Sequence, residues 1–190
     1  MPDLSVIILS YNTKNTTKNC LEKLHDSLNS SNISSEIIIV DNESKDGSVE
    51  MIKKTLQKSN PKIVYKALFN KKNNGFAKGN NQGLKITNGK NILFLNSDVL
   101  IENIDWDSLI SYFNQNTNIG ALTVKVNLTD GNIDPASHRG FPTVWNSFTY
   151  YSKLEKIFGR IPLLNKIFGG YHLKNLKNSS AIYRRVFYFV

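Results

Sequence analysis

Short apolar runs rich in β-branched residues alternate with stretches whose apolar residues return at helical spacing. Leu4–Leu9 is the first run and predicts a strand buried on both faces. Cys20, Leu21, Leu24 and Leu28 then share one face of a helix over residues 14–29. Glu36–Val40 predicts a second strand, and a polar turn over Asp41–Gly47 leads into a helix near 48–58 carrying Val49, Ile52 and Leu56. Strands follow at 62–68, 91–95 and 119–126, with helices at 76–86 and 105–116 between them. Strand and helix in repeated succession predict an α/β fold, with right-handed crossovers and a mostly parallel sheet flanked by helices.

Past residue 127 this order loosens. Asp130-Gly131 marks a turn, and Pro135 and Pro142 interrupt regular structure. Residues 144–168 predict one or two amphipathic helices broken at Gly159–Pro162, and Ser180–Val190 a last strand. The expected division is an α/β core over 1–126 and a second part over 127–190.

Ligands of parallel sheets bind beyond the carboxyl ends of the strands. The residues to inspect are therefore Ser10-Tyr11-Asn12, Asp41-Asn42, Asn70–Gly75 and Asn96-Ser97-Asp98. A carboxylate at Asp41 can accept hydrogen bonds from a base N–H or from ribose hydroxyls. A carboxylate at Asp98 can hold a hard cation, because Mg²⁺ needs few protein ligands when water and phosphate oxygens complete its shell. Either acid alone is equally a strand-end turn or helix cap. Gly75, Gly79 and Gly83 recur every four residues. Close helix–sheet packing explains Gly83, and close approach of a ligand is the expectation at Gly75 and Gly79.

Composition narrows the classes. One cysteine, Cys20, among 190 residues excludes an internal disulfide framework. No apolar run reaches the roughly 20 residues of a membrane span. A cytoplasmic location, peripheral to the inner membrane face, is the expectation. The net charge of +9 gathers in residues 151–190, which hold eight Lys and Arg but one acid, Glu155. Such a tail suits an anionic membrane surface, an acidic ligand or plain solvation. No nucleic-acid motif accompanies it, so no nucleic-acid partner is expected. The G-x-G-x-x-G dinucleotide fingerprint and the G-x-x-x-x-G-K-[ST] phosphate loop are both absent. A receiver-like domain would need clustered acids after the first strand, where Ser10-Tyr11-Asn12 supplies none.

Four blocks now carry a resemblance. Ser5–Asn12 with Val40–Ser48, Asn73–Gly83, Leu93–Asp98, and the later stretches Ser137–Thr143 and Asn178–Phe187 resemble glycosyltransferase family 2 in order and spacing. Asn96-Ser97-Asp98 resembles that family's D-x-D metal motif with Asn in first place, similar to its rhamnosyltransferase-like branch. The resemblance implies a GT-A fold binding a nucleotide-diphosphate sugar over residues 1–126, with acceptor-side elements over 127–190. It implies that Tyr11 stacks on the base, that Asp41 bonds base or ribose, and that the backbone near Asn74 and Gly75 borders the donor. It implies that Asp98 ligates Mg²⁺ or Mn²⁺ on the diphosphate with Asn96 beside it. Arg139 is a candidate for a phosphate, while His138 reads as structural or solvated.

The same resemblance implies an inverting enzyme that passes a sugar, rhamnose as first expectation, to a glycan or lipid-linked acceptor. The family's usual base lies in a Glu-Asp pair beyond the strand that Ala181–Phe187 resembles, and this chain ends at Val190 before it. The expectation is a C-terminally truncated form that binds donor with weak or no transfer. The alternative is a non-catalytic nucleotide-sugar-binding domain, and the catalytic base is unassigned.

Overall fold

The computed structural model describes residues 1–168 apart from 59, 125, 129, 133, 135–142, 159, 160, 162, 163, 165 and 166. The chain forms two compact units, Met1–Gln115 and a second from Asn116 onward. That division comes earlier than the boundary expected at residue 126. Arg139, His138 and the strand expected over 180–190 lie outside the described residues.

The first unit contains β1 (Leu4–Ser10), α1 (Lys14–Asn29), β2 (Ser35–Asp41), α2 (Ser48–Thr55), β3 (Ile63–Phe69), α3 (Phe76–Leu84), β4 (Asn91–Asn96) and α4 (Trp106–Gln115). All three strand pairings are parallel, and the order across the sheet is β3-β2-β1-β4. The chain winds outward from β1 to β3, then crosses back to place β4 on the other side of β1. That reversal opens a crevice beyond the carboxyl ends of β1 and β4.

Side-chain alternation along the strands builds two cores. Val6, Ile8, Ile37, Ile39 and Leu95 meet Cys20, Leu21, Leu24 and Leu28 of α1, Met51 and Ile52 of α2, and Trp106 and Ile110 of α4. Ile7, Ile38 and Val40 form the opposite core, with Leu9, Leu68 and Ile86 against it. Helix α3 covers this second face through its glycines. A Cβ on Gly83 would stand 2.7 Å from Ile7 Cγ2 and 3.2 Å from Val40 Cγ2. Gly83 is therefore a packing glycine, as expected.

Burial rather than propensity holds α1. Its N-cap residue Thr13 makes no side-chain cap bond. Burying each of Leu21, Leu24 and Leu28 is worth about 2 kcal/mol, against about 1 kcal/mol for a cap.

The amino-terminal end of the sheet is closed by a buried carboxylate. Glu36 lies 1% exposed, with Oε2 2.6 Å from Lys66 Nζ. Its Oε1 accepts from Ser5 Oγ and from the Asn88 N–H, and Ser5 Oγ in turn accepts from the Gly89 N–H. The α3–β4 loop is thereby tied to β1 and β2.

In the second unit, the fifth strand expected over 119–126 is not a sheet strand. Among the described residues it carries only isolated bridges at Thr123 and Asn127. At the end of this segment, Val126 O accepts the Asp134 N–H at 2.8 Å, and the Leu128 N–H beyond it donates to Asn132 O at 2.7 Å, around a turn at Asp130-Gly131. Gly131 takes φ +81° there, a left-handed value suited to glycine. Helices α5 (Val144–Tyr151) and α6 (Leu154–Phe158) follow. A break between them falls at Ser152-Lys153, where Lys153 adopts φ +62°; α6 ends at Phe158, and the break expected at Gly159–Pro162 falls largely outside the described residues. Trp145 joins this unit together, its ring 6.0 Å from Phe168 and its Nε1 donating to Ile167 O.

Glu36 yields a pH prediction. Burial pushes its carboxyl up, but the bonds from Asn88, Lys66 and Ser5 outweigh this and hold it below its ordinary value. A carboxyl lowered by folding stabilises fully above its unfolded pKa and loses that contribution as pH falls through the folded value. Glu36→Ala is expected to lose about 3 kcal/mol at neutral pH, read from urea midpoints, with the gap to wild type closing in acid. A gap constant with pH would contradict this account.

Candidate functional site

The register places the candidates at one end of the sheet. Asp41 pairs with Ser10 across β2 and β1, and Asn96 with Leu9 across β4 and β1. The ends of β2 and β4 thus flank that of β1, about 10 Å apart at the usual strand spacing.

Asp41 is the last residue of β2 and is 1% exposed. Its Oδ1 accepts the Ser44 N–H at 2.9 Å. Its Oδ2 is buried and, among the described residues, has no hydrogen-bond partner. A carboxylate oxygen out of water without a donor is costly, on the order of 1–3 kcal/mol.

Around Asp41, two loops are stapled together. The Asn12 N–H donates to Ser44 Oγ at 2.8 Å, and the Lys45 N–H to Asn12 Oδ1 at 2.7 Å. Asn12 sits at φ +54°, a conformation that Asn tolerates. Asp46 receives the Lys14 N–H on Oδ2 and the Ser48 N–H and Oγ on Oδ1. One carboxylate therefore caps the first turns of both α1 and α2; desolvation pushes its carboxyl up, but these bonds together outweigh it and hold the group below the ordinary range. Tyr11, carried on the same β1–α1 loop, remains 47% exposed. Ser10 is fully buried in a hydroxyl cluster with Thr13 and Thr17.

Asn42, also buried, is engaged on both ends of its amide. Nδ2 donates to Asn73 Oδ1 and to Gly75 O, each at 3.2 Å, while Oδ1 accepts from Asn70 Nδ2 at 2.8 Å. Gly75 caps α3 at φ +78°, ψ 175°, a region open essentially to glycine, and nothing lies within 4 Å of where its Cβ would be. Asn74 beside it is half-buried. Gly79 differs from the expectation of ligand approach. It is buried, and the side chain it lacks would collide with Leu9, so packing of α3 on β1 accounts for it.

Across the crevice, the Val99 N–H donates to Asn96 O at 3.2 Å, making Ser97 and Asp98 the central residues of a turn. Asn96 and Asp98 are exposed and Ser97 is half-buried. Beneath them lies the buried Cys20, whose Sγ is 3.7 Å from Asn96 O. Burial, with the charge of Asp98, pushes the Cys20 thiol up to about 12, so it stays protonated.

Among the described residues, no three His, Cys, Asp or Glu side chains gather as a metal cage. An exposed carboxylate and an exposed amide on one turn fit an ion that takes most of its ligands from phosphate and water. They do not fit a closed structural site.

Glycosyl transferase family 2 is the family whose model matches this chain, over residues 5–175. The chain belongs to that family. It is 28% identical over 131 residues to the minor teichoic acid biosynthesis protein GgaB of Bacillus subtilis (strain 168), a match covering 68% of this chain and 14% of that protein. It is 34% identical over 122 residues to an uncharacterized glycosyltransferase of Rickettsia bellii (strain RML369-C), covering 63% of this chain and 16% of the relative. The chain thus spans a small fraction of the length of both relatives. Among solved structures, S. aureus TarS 1-349 in complex with UDP-GlcNAc superposes with a TM-score of 0.54 at 20% identity, covering 76% of this chain and 38% of the TarS 1-349 chain. The mannosyltransferase PcManGT of Pyrobaculum calidifontis, in complex with GDP-Man and Mn²⁺, does so with 0.51 at 19% identity, covering 67% and 36%. These likenesses establish a GT-A-like α/β fold for the family 2 chain.

The capping carboxylate was not among the sequence candidates. Its signal was the Asp46-Gly47-Ser48 run, which reads as an ordinary polar turn until the β1–α1 loop is brought against it. Asp46→Ala removes the caps of two helices and is expected to destabilise by about 1–2 kcal/mol. Urea unfolding checks this, and an unchanged midpoint would show that the two loops are held by other means.

Proposed function

We propose that this chain binds a nucleotide-diphosphate sugar beyond the carboxyl ends of β1, β2 and β4 and serves transfer of that sugar to a glycan or lipid-linked acceptor. The observation that carries the reading is the buried, partnerless Oδ2 of Asp41. A base N–H or ribose hydroxyl supplies the donor this oxygen lacks. Tyr11, exposed on the stapled loop, offers its ring to the base, since aromatic faces accept bases of any identity. The Gly75 backbone, with open space beside it, borders the donor. Asp98 and Asn96 hold Mg²⁺ or Mn²⁺ on the diphosphate, where a bound cation offsets the charge of the leaving group. This chain's own part is to fix the nucleotide between β2 and β4 and orient the diphosphate toward the crevice.

Support comes from the neighbours. TarS holds UDP-GlcNAc and PcManGT holds GDP-Man with Mn²⁺, both on this fold. GgaB belongs to teichoic acid biosynthesis, which favours a surface-polymer acceptor. Inversion at the anomeric carbon and rhamnose as the transferred sugar follow the family resemblance of the Asn96-Ser97-Asp98 motif. Peripheral attachment to an anionic membrane is part of the same reading. Val144 and Tyr151 on α5 and Ile157 on α6 are exposed apolar residues, and residues 151–190 carry eight Lys and Arg against one acid. No helix among the described residues is long and apolar enough to cross a membrane.

A thermal-shift screen of uridine, guanosine and deoxythymidine diphosphates and their sugars, with and without Mn²⁺ or Mg²⁺, tests the proposal. Selective stabilisation by one nucleotide is the expected result; no shift with any of them would end it. With the nucleotide so found, Asp41→Asn is expected to weaken binding by roughly 10- to 100-fold, because a bond to a charged acceptor is lost. The melting temperature of the free protein should move little. Asp98→Asn is expected to abolish the gain in affinity from Mn²⁺ while leaving affinity in EDTA unchanged. Calorimetric titration measures both, and an Mn²⁺ effect that survives in Asp98→Asn would remove Asp98 from the metal.

A further inference from the structure

Three side-chain amides form one directional chain behind the Asp41 end of the sheet. Gln82 of α3 and Asn70 after β3 exchange two bonds, Asn70 Nδ2 to Gln82 Oε1 and Gln82 Nε2 to Asn70 Oδ1, each at 2.9 Å. Asn70 Nδ2 gives its other hydrogen to Asn42 Oδ1. Asn42 Nδ2 then divides its two hydrogens between Asn73 Oδ1 and Gly75 O. Asn73 Oδ1 also accepts the Gly75 N–H at 2.8 Å.

The backbone sets the direction of every member. The Gly75 carbonyl can only accept, so Asn42 must present its NH₂ there and its oxygen to Asn70. Asn70 must then present its NH₂ to Asn42, which leaves its oxygen for the NH₂ of Gln82. No member can turn over without setting oxygen against oxygen. The chain also ends where the donor reading needs rigidity. Asn42 follows Asp41 directly, and the Asn70 N–H donates to Asp41 O at 2.8 Å. Gly75, at the other end, holds a glycine-only conformation with no side-chain cap on α3. Among the described residues, Asn42 is the side chain that fixes this turn with two bonds.

We propose that Gln82, Asn70 and Asn42 are a relay of positioning residues that hold the Asn73–Gly75 turn at a fixed place beside Asp41, and so pre-form the donor site. The proposal rests on the donor reading above. None of the three needs to touch the ligand. Gln82 acts from the second turn of α3, through Asn70, on a turn it does not itself bond. Fixing the turn before the ligand arrives spares the ordering that binding would otherwise require.

The test uses the full chain and the variants Gln82→Ala and Gln82→Glu. Gln82→Glu keeps an oxygen for Asn70 Nδ2 but has no hydrogen for Asn70 Oδ1. Glu36→Gln, at the opposite end of the sheet, is the control for general loss of stability. Amide hydrogen exchange of the ligand-free proteins reads the relay directly. Gln82→Ala is expected to speed exchange at residues 73–79 while β1 and β2 remain protected, and Gln82→Glu to lie between it and wild type. Binding of UDP, of GDP and of deoxythymidine diphosphate, each with Mn²⁺, reads the consequence. The nucleotide that wild type binds should bind Gln82→Ala about three- to tenfold more weakly, as for one or two neutral hydrogen bonds, and Glu36→Gln with unchanged affinity.

Unchanged exchange at 73–79 in Gln82→Ala overturns the relay whatever the nucleotide does. Faster exchange with unchanged affinity overturns its role in the donor site. Weakening in Glu36→Gln as large as in Gln82→Ala reduces the effect to general stability and overturns the assignment as well. If wild type binds none of the three nucleotides, the donor role falls with the donor reading, and exchange still decides whether the relay holds the turn.

Discussion

Folding takes the carboxylate of Asp41 out of water and satisfies only one of its oxygens. A chain selected for stability alone has no use for that arrangement, since a buried acceptor without a donor opposes folding. The penalty is tolerable because the surrounding loops are over-determined. Asn12 is joined to Ser44 and Lys45, and Lys14 to Asp46, by backbone-to-side-chain bonds that do not depend on a ligand. The Asp41 backbone is held from both sides, by β1 in the sheet and by Asn70 after β3. The acceptor therefore keeps its place while lacking a donor.

The two ends of the sheet use polar groups in opposite ways. At the amino-terminal end, Glu36 is as buried as Asp41, and both its oxygens are engaged by Lys66, Ser5 and Asn88. That cluster closes the end of the sheet and anchors the α3–β4 loop. At the carboxyl end, satisfied amides and hydroxyls surround one unsatisfied oxygen, while Tyr11, Asn96 and Asp98 stay exposed. The difference fits a fold whose chemistry is confined to one edge, with its stability drawn from the other edge and from the two apolar cores.

The order β3-β2-β1-β4 turns these local features into a site. With β4 beside β1 rather than beyond β3, the Asn96–Val99 turn lies across β1 from Asp41. Cys20 of α1 supports that turn from below without ionising. Gly79 and Gly83 let α3 sit on Leu9 and Ile7, bringing Gln82 and Asn70 within reach of Asn42. Small residues on one helix thereby decide where an amide chain on another loop can form.

Local pattern alone determined the elements of the first unit, because a run such as Ile37–Val40 or the spacing of Leu21, Leu24 and Leu28 admits one period. It also marked the strand-end residues Asp41, Gly75 and Asp98, because a parallel sheet exposes chemistry only there. Strand order was not legible, since nothing in the period of β4 says which edge it joins. Nor were the bonds of Asn42, Asn70, Gln82 and Asp46, whose partners lie far along the chain. The segment 119–126 has a strand's composition and still forms no sheet strand among the described residues, because a ladder needs a neighbour as well as a propensity. Only the tertiary structure decided that Asp41 keeps one bare oxygen and that Gly79 serves packing, because both depend on which atoms folding brings near and which it leaves without company.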